Sequence, residues 1–160
     1  MSDTQAAIKT QYPLPAYNYR VTILDGDKAE TLGFSEVGGL SMGYDPVTYK
    51  DGFSFVMGAD IIPGMPKPIS LTLKKGLAKS GDYLQKWMEK SYQDHFSNGA
   101  KRDVLIDLCD EAGQPVIRWI VTAAMPVKLD APGFVASGND VAIASMELVA
   151  AKLKVEFNPS

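Results

Sequence analysis

The residues from Val141 to Ala151 carry apolar side chains on both faces of one extended segment, and this pattern limits the fold more than any other in the chain. Alternation puts Val141, Ile143 and Val149 on one side and Ala142, Ala144, Met146 and Leu148 on the other, with Ser145 and Glu147 as polar interruptions. Such a strand is expected to be covered on both faces. The chain has 160 residues, room for one domain that buries about 70% of the surface its unfolded form exposes. We expect residues 1–160 to form a single domain, with a polar leader at 1–16 that holds Pro13 and Pro15. A lone sandwich of that size rarely covers both faces of a strand.

The remaining segments read as strands and one helix. Tyr19, Val21 and Ile23 alternate with Asn18, Arg20 and Thr22 in a half-buried strand, and Asp25-Gly26-Asp27 suits a reversal into a strand over Ala29 to Val37. Gly38-Gly39 breaks that run. Leu40 to Ile62 holds Tyr44, Val47, Tyr49, Phe53, Phe55 and Val56 between Pro46, Gly52 and Gly58, the pattern of an extended hairpin or long β-arm. Pro63, Pro66 and Pro68 lack N–H donors, so the stretch Ile61 to Pro68 is expected to be a loop or edge crossing. Ile69, Leu71 and Leu73 give the next strand.

A helix is expected from about Asp82 to Phe96, with Ser80 or Asp82 as N-cap and Asn98-Gly99 as its stop. Its stripe of Tyr83, Leu84, Trp87, Met88, Ser91, Tyr92 and His95 has the spacing that packs on a sheet. After it, Val104, Ile106 and Leu108 form an inward row, the turn Asp110 to Gly113 follows, and Pro115 to Ala124 is the partner strand. Pro126 and Asp130 to Gly133 are expected to separate that hairpin from the terminal strand. The fold class is mainly β: an antiparallel β-sandwich or barrel of about seven strands with one helix.

Little in the chain points to chemistry. Sixteen basic and 19 acidic residues are scattered, for a net charge of -3, and no basic run offers the footprint of sequence-specific nucleic-acid binding. Cys109 is the single cysteine, expected as a small core residue, and an internal disulfide is impossible. His95 is the single histidine and reads as a packed ring near the helix C-terminus. One histidine and one cysteine provide no zinc set, so no metal and no cofactor is expected. Asp107, Asp110 and Glu111 cluster near a hairpin tip, but calcium-loop spacing is absent and they read as solvated turn residues. Lys74, Lys75 and Lys79 read as a solvated rim or an oligomer salt bridge. With neither a nucleophile elbow nor a phosphate loop, no catalytic residue is assigned and enzyme function is not expected. The start lacks a secretion signal and no run of about 18 apolar residues occurs, so synthesis in the cytoplasm and no membrane contact are expected.

What stands out is β-prone, apolar surface beyond one core's needs. Unblunted strands of this kind pair with another chain, or else complete the domain's own sandwich, and composition leaves both open. Several segments in collinear order settle the reading by likeness: YNYRVTI, LGFSEVGGL, YDPVTYKDG, PGMPKPISLTLKKGL, the helix with LQKW, RDVLIDLCDEAGQPVIRW, AAMPVKLDAPGF and GNDVAIASMELVAAKL. Together they resemble the tail-tube protein family of contractile phage tails and of phage-tail-like extracellular injection systems of the antifeeding prophage and Photorhabdus virulence cassette type.

That resemblance implies a small β-sandwich with one helix, six copies of which form a ring with a continuous inner β-barrel. Rings stack into a hollow tube that carries DNA or effector protein through its lumen. It implies sheath and baseplate or hub proteins as partners, production in a bacterial cytoplasm, and assembly into a virion tail or injection particle. Residues 40–62 correspond to an arm that reaches neighbouring subunits, with Tyr44, Val47, Tyr49, Phe53, Phe55, Met57, Ile61 and Ile62 as the expected subunit interface. The family commonly has more acidic residues leading into the arm, where this chain has Tyr44-Asp45-Pro46. Other readings are a tube-initiating ring at the baseplate, a monomeric ligand-binding β-barrel with a pocket lined by Trp87, Trp119 and Tyr92, and a small enzyme using Asp107, Asp110 or Glu111.

Overall fold

The computed structural model describes residues 13–52, 58–76, 83–94, 100–138 and 141–159. Among them are ten strands and one helix. β1 (Tyr19–Asp25) and β2 (Lys28–Leu32) form a hairpin turned by Gly26 at φ 61°, a left-handed conformation that glycine adopts without steric cost. β3 (Glu36–Gly38) follows, then β4 (Tyr44–Tyr49), β5 (Asp60–Pro66) and β6 (Ile69–Gly76). The helix α1 (Tyr83–Gln93) precedes β7 (Arg102–Cys109), β8 (Pro115–Asp130), β9 (Ile143–Ala150) and β10 (Lys152–Phe157).

All strands but β4 and β5 join in one antiparallel path, β2-β1-β7-β8-β9-β6-β3, with β10 also on β8. The 16 residues of β8 serve two layers. From Ile117 to Thr122 the strand pairs with β7 and β10, and from Met125 to Asp130 it pairs with β9. Between these stretches Ala123 takes φ 56°, and Asp103 Oδ1 accepts its N–H at 2.9 Å. A residue that leaves the β region breaks the pleat and lets the strand pass from one layer to the other.

The bend turns two inner faces into one core. Val21, Ile23, Val104, Ile106 and Val121 come from one layer, and Ile69, Leu71, Leu73, Met146, Leu148 and Ala150 from the other. Cys109 is buried, as expected of a small core residue. Helix α1 contributes Leu84, Trp87 and Ser91, three buried residues at the spacing of one helical face, and it packs against β8. Trp87 is fully buried and its Nε1 donates to the Ala100 carbonyl at 2.9 Å. Arg102 clamps the helix to the sheet. Its guanidinium lies 5.2 Å from the Tyr83 ring centroid and 5.3 Å from that of Trp87, donates to Tyr83 Oη at 2.8 Å and pairs with Asp25 at 3.3 Å. Burial pushes the Tyr83 phenol above its usual pKa, against the lowering effect of that guanidinium.

Several expectations need correction. The run Ala29 to Val37 is not one strand: β2 ends at Leu32 and β3 starts at Glu36 on the opposite edge of the path. Pro126 does not separate hairpin from terminal strand but lies inside β8, at a register irregularity where its missing N–H breaks no regular ladder. The segment Ile61 to Pro68 is not simply a loop, because β5 runs through Pro66. Tyr92 leaves the helix stripe for solvent. Ser80, Asp82, His95, Asn98 and Gly99 lie outside the described residues, as does most of the leader.

The terminal strand is covered on one face and wet on the other. Ala144, Met146, Leu148 and Ala150 are buried, whereas Ile143, Ser145, Glu147 and Val149 are not. Register explains this: Lys74, Thr72 and Ser70 of β6 stand beside Ser145, Glu147 and Val149, and Lys128 and Asp130 of β8 beside Glu147 and Ser145. The second face is therefore mostly polar, and only its end at Val141 and Ile143 keeps large apolar side chains in water.

If the Asp103 carboxylate holds the bend, Asp103→Ala is expected to cost about 1–3 kcal/mol by leaving the Ala123 N–H unpaired. Asp103→Asn, which keeps an acceptor oxygen, should recover most of that loss. Urea unfolding midpoints of the two variants check this.

Candidate functional site

Among the described residues β4 and β5 pair only with each other and form a two-stranded ribbon outside the main path. Val47 opposes Ile62, Thr48 opposes Ile61, Tyr49 opposes Asp60 and Pro46 opposes Pro63, with a register shift between Tyr44 and Pro46. Opposed residues share a face, so Val47 and Ile62 lie on one side and Ile61, Pro46 and Pro63 on the other. Each side of the ribbon carries apolar side chains, with Asp60 on the first and Thr48 on the second. Proline is tolerated because each strand of a two-stranded ribbon has one edge with no ladder to lose.

Glycine sets the close approaches. A Cβ at Gly64 would collide with the carbonyl oxygen of Asp45 across the ribbon. At the root, Gly39 has φ 89°, and a Cβ there would strike the Ser70 carbonyl of β6. The Lys67 N–H donates to the Gly43 carbonyl at 2.8 Å, and the Lys67 ammonium pairs with Asp45 at 3.4 Å in solvent. These contacts fix where the ribbon leaves the sandwich, at the Ile69 end of β6.

Of the expected interface residues, Tyr44, Val47, Tyr49, Ile61 and Ile62 all lie on this ribbon and all are exposed, Ile61 to 72%. Phe53, Phe55 and Met57 lie outside the described residues. Sequence reasoning missed Met42 and Met65, exposed to 64% and 81%. Their signal was an uncharged surrounding, Ile61 to Pro66 carrying no charge at all. A separate two-stranded ribbon is marginal in water, and large apolar groups on both its sides make it more so.

The candidate carboxylates do not converge. Asp107 is 3% exposed in β7, not a solvated turn residue, and it is held by Arg118 at 2.7 and 3.2 Å and by Arg20 at 3.6 Å. The hydrogen bond to Asp107 raises the pKa of Arg118. Register extends the row to Glu156 of β10, giving alternating charge across four strands. Asp110 Oδ1 instead accepts the Ala112 and Gln114 N–H groups, both at 2.9 Å, which caps its own turn, and Glu111 is exposed. Among the described residues no group of three or more His, Cys, Asp or Glu could hold a metal ion.

Trp87, Trp119 and Tyr92 do not line a pocket. Trp87 is sealed in the core, Trp119 is half-buried and Tyr92 faces solvent. A cavity of about 280 Å³ lies elsewhere, among Lys75, Leu84, Gln85, Leu129, Asp130 and Ala144.

Comparison with known proteins matches this fold. The family model described as T4-like virus tail tube protein gp19 matches residues 15–154. Curated protein sequences give no match. Among solved structures, a chain of the PVC sheath-tube complex of an extracellular contractile injection system in its extended state is 30% identical, with TM-score 0.81 over 95% of this chain and 97% of that chain. A chain of the PVC sheath/tube terminator is also 30% identical, with TM-score 0.78 over 91% and 98%. A chain of the tube-terminating cap of the anti-feeding prophage is 28% identical, with TM-score 0.78 over 92% and 93%.

Replacing Gly64 by Ala is expected to part β4 from β5 and leave the sandwich intact. Amide hydrogen exchange should then lose protection in the ribbon alone, while the global unfolding free energy changes by less than about 1 kcal/mol.

Proposed function

The chain belongs to the T4-like virus tail tube protein gp19 family and is a structural tube subunit; we propose that six copies close into a ring and that rings stack into the inner tube of a contractile phage tail or phage-tail-like injection particle. The observation that carries this reading is the ribbon, which offers apolar side chains on both sides and two free strand edges to water. A ring closes sheet edges on its neighbours, and stacked rings cover the ribbon. Obligate interfaces commonly bury more than about 2,000 Å² in total, so subunit stability and assembly are coupled.

The work is mechanical containment, without catalysis. The buried Asp107 carboxylate is paired with arginine and the Asp110 carboxylate accepts backbone N–H groups of its own turn, so both serve the fold. Both outward faces of the sandwich carry paired charges, Arg20–Asp107–Arg118 on one and Glu36–Lys74 on the other. Such a surface, lining a lumen, passes DNA or effector protein without gripping it. Two of the relatives are chains of sheath-tube and sheath/tube-terminator assemblies. By analogy this tube sits inside a contractile sheath on a baseplate, in a particle tail assembled from subunits made in the cytoplasm.

Purified protein is expected to form six-fold rings or tubes in electron micrographs at high concentration. A strictly monomeric species under those conditions would overturn the proposal. Val47→Asp or Ile62→Asp places a carboxylate in the covered ribbon, at a cost of about 3 kcal/mol or more per contact. That corresponds to more than about a hundredfold in association, with the monomer's unfolding midpoint unchanged.

A further inference from the structure

A second apolar surface remains outside this reading. Among the described residues, exposed large apolar side chains gather in two places, apart from the scattered Tyr17, Tyr92 and Phe157. One is the ribbon with Met42. The other is the connection between β8 and β9, where Phe134 is 81%, Val135 71% and Val141 73% exposed, next to Val127 and Ile143. We propose that the β8–β9 connection, through Phe134, Val135 and Val141, is the seat for the ribbon of a second copy in the adjoining ring. This inference rests on the stacked-ring reading.

Three observations carry it. The first is position. The ribbon leaves at Ile69, which pairs with Ala150, while the β8–β9 connection ends beside Ile143, which pairs with Gly76. The two surfaces therefore lie at opposite ends of β6, about 23 Å apart at the rise of a strand. A stack that grows without closing needs head-to-tail contacts, with a different patch at each end of the subunit. This chain presents its two apolar patches in that arrangement.

The second is that a copy does not seat its own ribbon. The ribbon shares no ladder with the main path, and Phe134 stays in solvent with the ribbon present. The occupant is thus a second copy. The third is charge. Residues 131–138 carry none, as is true of Ile61 to Pro66. Near these stretches Lys128 pairs with Asp130 at 3.4 Å and Lys67 with Asp45 at 3.4 Å, while Asp60, at the start of β5, is exposed at the rim of the ribbon. Docking of the two uncharged stretches on each other therefore buries apolar surface and leaves the charges at the rim.

The test mixes Ile61→Cys copies with Val135→Cys copies, assembles them and oxidises. Cys109 is buried and stays out of the exchange. A disulfide-linked dimer is expected in the mixture and in neither variant alone. In parallel, Phe134→Asp is expected to leave six-fold rings and the unfolding midpoint intact while tube length falls at least tenfold. Tubes of full length, loss of rings together with stacks, or assembled tubes without the mixed cross-link would each overturn this seat while leaving the tube reading standing. If the unsubstituted protein forms neither rings nor tubes, the reading beneath it falls as well.

Discussion

Strand β8 belongs to two layers at once, and the hydrogen bond from the Ala123 N–H to Asp103 holds the bend that lets it do so. A left-handed alanine costs about 1–2 kcal/mol, so the conformation persists only where its surroundings enforce it. Here they do. Val121 just before the bend and Ala124 just after it are both buried in the common core. A straight β8 would carry β7 and β9 in one continuous sheet, and Val104 and Ile106 would no longer face Leu71, Met146 and Leu148 across a dry interior.

Two buried charged residues stiffen that block without serving chemistry. Arg102 donates to Tyr83, pairs with Asp25 and lies over the Trp87 ring, so the helix is held by a cation as well as by packing, although the buried Arg102 Nε has no partner. Asp107 is satisfied by arginines from the two strands beside its own. Charges buried in this way would be costly to strand, which ties β1, β7 and β8 to one register. The result is a rigid sandwich from which a thin, apolar ribbon projects on a glycine root. Division between a block that keeps its shape and a ribbon that lacks internal cover is what a subunit needs when its shape is completed by neighbours.

Local features were readable where a residue's role depends on its near neighbours. Tyr19, Val21 and Ile23 alternate because one side of β1 is inward, and Leu84 and Trp87 recur at helical spacing because one side of α1 is. The Asp110 turn followed from a side chain that bonds its own backbone. The arm was readable as a stretch of aromatic and β-branched residues, but its extent was not. The loop half of the loop-or-edge reading of Pro63 and Pro66 assumed that every N–H has a ladder to lose, and in a ribbon half of them face open edges. Asp107 was misplaced for a related reason: its cover comes from Arg20 and Arg118, 87 and 11 positions away, which only strand pairing brings together.

The amino-acid order alone determined most of the segments that extend, the one that coils and where the main turns fall. Those properties follow from backbone sterics and from side chains within a few residues of each other. Tertiary structure decided that β2 and β3 part to opposite edges, that β8 bends instead of ending at Pro126, and that the outer face of β9 is polar. The physical reason is the same in each case. A side chain's surroundings on a sheet are set by the strands beside it, and register, not sequence distance, chooses those strands.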